Sequence, residues 1–149
     1  MTDKELILQI FKKLKIEISD FDHTIFFNWD GGERLTKEKK EPLVVMFISI
    51  KESIQFIHHI LKELPISKIG LALDEEDVFP DYFEEKDYKI IDKHKFLPTV
   101  KELIKSKEYL CFGVKLEIHN NYYFATTGED YSLVFDRRIL GILRNLEKK

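Results

Sequence analysis

Residues 110–135 read LCFGVKLEIHNNYYFATTGEDYSLVF. Leu110, Phe112, Val114, Leu116 and Ile118 alternate with Cys111, Gly113, Lys115 and Glu117. Successive side chains of an extended chain point to opposite faces, so this alternation marks a half-buried strand, one face apolar and one polar. Two turn signals, HNN at 119–121 and GED at 128–130, separate it from YYFATT (122–127) and YSLVF (131–135). Strands joined by such short turns pair antiparallel. The last third of the chain is therefore a β-meander. Asp136 is placed to cap a closing helix, in which Ile139, Leu140, Leu143 and Leu146 form one stripe.

Upstream of the meander the pattern alternates between helical and extended periods. Leu6, Ile7, Ile10, Phe11 and Leu14 recur at helical spacing over residues 3–15, with Thr2 or Asp3 as N-cap and three lysines near the far end. TIFFNW (24–29) reads as a strand and DGG (30–32) as a turn. LVVMFIS (43–49) is apolar enough to be a strand covered on both faces. Ile50, Ile54, Ile57, Leu61 and Leu64 predict a helix over 50–64 that Pro65 stops. KIGLAL (68–73) is a further strand, and a helix over 98–106 has Pro98 in its first turn. The resulting order, α–β–β–α–β–α–β–β–β–α, predicts a single α+β domain over residues 1–149. Its sheet is largely antiparallel, with three to four helices packed mainly on one face.

Composition narrows the function classes. A chain of 149 residues, 44% of them apolar, buries a core without covalent staples. Cys111 is the only cysteine, which excludes an internal disulfide and any zinc site that needs two thiolates. No apolar run is long enough for a signal peptide or a bilayer span, so a cytoplasmic protein without membrane contact is expected. His58 and His59 are adjacent on a helix and point roughly 100° apart, whereas a helical metal pair needs a spacing of four. No cofactor and no metal are expected. DGG lacks the setting of a phosphate loop, and Tyr122, Tyr123 and Phe124 are accompanied on their strands by too little positive charge to bind nucleic acid.

Charge is unevenly distributed. The segment DEEDVFPDYFEEKD (74–87) holds eight carboxylates and one lysine. Its local charge of −7 in a chain of −3 leaves the rest at +4. Aromatic rings are set among the acids, and Pro80 restricts Phe79. Aromatic side chains anchor interfaces, while surrounding charge speeds encounter and fixes register. The expected partner-binding residues are Asp74, Glu75, Glu76, Asp77, Asp81, Tyr82, Phe83, Glu84 and Glu85, and the expected partner is a basic protein. The concrete form favoured is a bacterial immunity protein or antitoxin that blocks the phosphate-contacting lysines and arginines of a nuclease-type toxin.

A second, enzymatic possibility comes from DFDHT (20–24), which resembles the first motif, Asp-x-Asp-x-Thr, of haloacid-dehalogenase-like phosphohydrolases. The resemblance covers five residues. It implies that a buried strand ends at Asp20, that Asp20 is the nucleophile and Asp22 the acid/base, and that both bind magnesium. It further implies a strand ending at Ser49 and a later acidic pair, Asp74 and Asp77.

Overall fold

The computed structural model describes residues 1–29, 42–74, 87–106, 111–128 and 132–147. In chain order the elements are α1 (Asp3–Leu14), α2 (Phe21–Thr24), β1 (Ile25–Trp29), β2 (Leu43–Met46), α3 (Ile50–Glu63), β3 (Lys68–Asp74) and β4 (Lys89–Asp92). A 3-10 turn (Lys93–Lys95) follows, then α4 (Phe96–Ser106), β5 (Cys111–Ile118), β6 (Asn121–Gly128), β7 (Ser132–Asp136) and α5 (Arg138–Glu147). The seven strands among the described residues form one sheet in the order β1-β2-β7-β6-β5-β3-β4, and every pair is antiparallel. The protein is thus α+β.

The meander forms as its alternation predicts. Between β5 and β6, His119 and Asn120 both adopt positive φ, the backbone that a two-residue hairpin turn matched to strand twist requires. The face of the meander carrying Phe112, Val114, Leu116 and Phe135 packs on the helices, against Ile57, Leu140 and their neighbours. Phe56 of α3 is central to this core. Its ring lies 5.8 Å from Phe11 of α1, edge-on, and 5.6 Å from Phe135 of β7. Such aromatic contacts add to the area term, itself about 1.5–3 kcal/mol for a fully buried large side chain.

Helix ends are fixed locally. Ser49 Oγ accepts from the Glu52 N–H at 3.1 Å while the Ser49 N–H donates to Glu52 Oε1 at 3.0 Å, a capping box at the start of α3. At its other end, Lys93 Nζ donates to the carbonyls of Leu61 and Leu64 at 3.1 and 3.0 Å. The two ends of the chain are joined by Asp3, which accepts from Arg137 Nε at 2.7 Å and from Arg144 Nη1.

Three features differ from the sequence expectation. β4 occupies the sheet edge next to β3, where no strand was foreseen. A fifth helix, the single turn α2, precedes β1 and takes Thr24 out of the strand; Thr24 Oγ1 donates to the Asp20 carbonyl at 2.6 Å and closes the turn. Finally, the meander's second face is not uniformly polar. Leu43, Val45, Phe124 and Val134 form a small buried cluster there, with Tyr88 packed against it, and Cys111 and Gly113 are buried too. The first half of β5 is therefore covered on both sides.

Candidate functional site

The acidic segment is the connection of a hairpin. Lys68, Ile69, Gly70 and Leu71 of β3 pair with Asp92, Ile91, Ile90 and Lys89 of β4, so the strands on either side of the segment are hydrogen-bonded neighbours. The expected connection ran from a strand to the helix near residue 98; the edge strand β4 instead brings the chain straight back beside β3. Of the nine expected partner-binding residues, Asp74 is described as the last residue of β3, opposite Cys111 of β5. Glu75, Glu76, Asp77, Asp81, Tyr82, Phe83, Glu84 and Glu85 lie outside the described residues.

What surrounds the two ends of the segment is defined. β3 outruns its hairpin partner: Ala72, Leu73 and Asp74 pair with Gly113, Phe112 and Cys111. Gly128 and Ser132, which face each other across β6 and β7, stand at this same end of the sheet. The connection between them contains Glu129 and Asp130, so two acidic connections start from one end of the sheet.

On the return side Asp87 is exposed, and Tyr88 lies across the second face of the sheet. A Cβ added to Gly70 would meet Tyr88 Cβ at 3.0 Å and Lys115 Cβ at 3.2 Å, so the glycine is what lets Tyr88 lie so close. The Tyr88 ring is 6.0 Å from that of Phe124. Lys115 Nζ stands 4.3 Å from the Tyr122 ring centroid and 6.0 Å from that of Tyr88, within cation–π range. Tyr88 therefore anchors the C-terminal end of the acidic segment to the sheet. It adjoins the charge run but lies just beyond it, and the spacing of the acids does not distinguish it.

The remaining candidates occupy separate places. Residues 16–20, where the DFDHT resemblance implies a buried strand, form no regular element. Asp20 Oδ2 lies 2.8 Å from His23 Nδ1, which raises the His23 pKa, first through that hydrogen bond and then through the carboxylate charge. Asp22 is exposed, 3.7 Å from Lys4 Nζ. His58 and His59 are half-buried on α3; burial lowers both pKa values, with Lys62 assisting in each case. Among the described residues no three His, Cys, Asp or Glu side chains converge as metal ligands, and no helix is long and apolar enough to cross a membrane. Asp136, the one deeply buried carboxylate among the described residues, accepts from Arg138 Nη2 at 2.6 Å and from the Arg138 N–H at 3.0 Å. Arg138 in turn lies over the Tyr123 ring at 4.7 Å, which makes this pair a brace between β7, α5 and β6.

No protein-family model, curated protein or solved structure matches the chain.

Proposed function

We propose that the chain is a non-enzymatic binding protein that captures a basic protein through the acidic connection between β3 and β4. The observation that carries this reading is charge placement. A segment of local charge −7, in a chain otherwise at +4, is the connection of a hairpin within the sheet. Holding both ends in a ladder reduces the conformational freedom lost when the segment meets a partner. Tyr88 reinforces the return end, and Glu129 and Asp130 belong to a connection that starts from the same end of the sheet. The most concrete form is an immunity protein or antitoxin that covers the phosphate-contacting surface of a nuclease-type toxin.

The test is a binding titration against a toxin encoded next to this chain. Wild type is compared with the fourfold variant E75Q/E76Q/E84Q/E85Q at low and at high salt. Capture by the wild type weakens as salt rises, and the variant binds weakly throughout. The phosphohydrolase alternative would use Asp20 and Asp22 with magnesium, and no specific observation favours it. It requires release of phosphate from an aryl phosphate that Asp20→Asn abolishes, and a Tm that magnesium raises.

A further inference from the structure

We propose that two copies of the chain pair through β4, antiparallel about a two-fold axis at Ile90, and so join their sheets into one. Among the described residues β4 is an edge strand, bonded on one side, to β3. The polarity of its ladder is fixed by the Lys93 N–H, which donates to the Ser67 carbonyl at 2.9 Å and continues the Lys68↔Asp92 register by one residue. In an antiparallel pair the residues that exchange hydrogen bonds alternate with those that do not. Residues 89, 91 and 93 thus turn their backbone groups toward β3, and Ile90 turns its N–H and C=O away from the sheet. The Ile90 side chain is 76% exposed, the highest value among the exposed large hydrophobic side chains of the described residues. An open ladder position that also carries an exposed branched apolar side chain is a template for another strand.

Self-complementarity identifies the occupant as a second copy. A two-fold axis normal to the sheet keeps the helix-covered faces on one side, so outward-turned residues must meet outward-turned residues. Within β4 four registers satisfy this. Centring on Lys89 sets two lysines opposite each other, and centring on Asp92 sets two aspartates opposite each other. Centring on Ile91 sets Ile90 against Asp92 and Lys89 against Lys93. Centring on Ile90 sets Ile90 against its own copy and Lys89 against Ile91, and brings the exposed Asp87 opposite Lys93. Opposite charges across a ladder stabilise and like charges destabilise it, so the register centred on Ile90 is selected. Asp87 of each copy then lies beside the basic turn Lys93–Lys95 of the other. The contact is short, so the dimer is weak and depends on concentration.

Sedimentation velocity on the full chain over a concentration series tests the pairing. The wild type shifts from monomer to dimer as concentration rises, whereas Ile90→Lys and Ile90→Pro stay monomeric. Both substitutions spare the inner ladder, because the Ile90 N–H faces outward, and unchanged circular dichroism and Tm verify that they fold. Residues in a hydrogen-bonded antiparallel pair have Cα atoms about 5.5 Å apart, within disulfide range. Mild oxidation therefore links Ile90→Cys chains as dimers, and the buried Cys111 does not compete. A wild type that remains monomeric at every concentration overturns the proposal. So does a dimer that persists in Ile90→Lys, or an Ile90→Cys chain that fails to cross-link.

Discussion

Asp136 and Arg138 show how one pair of side chains fixes the join between sheet and last helix. The carboxylate is fully buried and takes its compensation from the guanidinium and the Arg138 N–H. Removing one partner of a buried pair leaves the other charge uncompensated. Arg138→Met is expected to cost roughly 3 kcal/mol, measured by urea unfolding, the low end for a broken buried pair because the Arg138 N–H still donates. Asp136 was readable in the sequence as a cap, but its burial was not, because that depends on which strand lies opposite. The histidines add a pH dependence. Burial holds His58 and His59 below the ordinary 6.5, so folding favours their neutral forms. Their contribution is complete above that value and is lost as pH falls toward the lowered folded-state pKa values. The raised pKa of His23 works in the opposite sense, on a ring open to solvent. Tm should therefore fall as pH drops below about 6.5, and the double variant His58→Gln/His59→Gln should flatten that decline.

Among the elements, α3 is where local and long-range requirements agree most closely. Its apolar period, its capping box and Pro65 all set the same limits, and the observed helix, Ile50–Glu63, is one residue shorter than its pattern predicts. Phe56 links α3 to α1 and β7, so Phe56→Ala should cost about 3–5 kcal/mol in urea unfolding, the loss typical of a large core ring. A cost below 1 kcal/mol would place the centre of the core elsewhere. The meander was legible for the same reason as α3: strict alternation over Leu110–Ile118 leaves little choice of face. β4 was not legible. KIID has only two apolar residues, and an edge strand, bonded on one side and exposed to solvent, needs little hydrophobic pattern. Missing β4 turned a hairpin connection into a link to a helix. The cluster of Leu43, Val45, Phe124 and Val134 was hidden too, since it unites two residues of β2 with one each from β6 and β7, strands whose adjacency only the sheet order reveals.

For the molecule as a whole, charge and topology bear on each other. The run of acids was plain in the sequence, but its place between two paired strands came from the fold. Tyr88, next in the chain after the segment, packs where Gly70 and Lys115 lie opposite each other across β3 and β5. A helix-covered face carries most of the core, and the hairpin connection starts from an end of the sheet. Charge that steers a partner raises the encounter rate, which enters the affinity directly, and salt screens it. The central claim is that the acidic connection is the capturing surface. Calorimetric titration of the wild type and of E75Q/E76Q/E84Q/E85Q into a basic toxin encoded beside this chain, at low and high salt, tests it most directly. The account predicts strong binding by the wild type at low salt, weakened at high salt, and at least a tenfold loss in the variant, or about 1.4 kcal/mol. Equal affinity of the two proteins at both salt concentrations would contradict it.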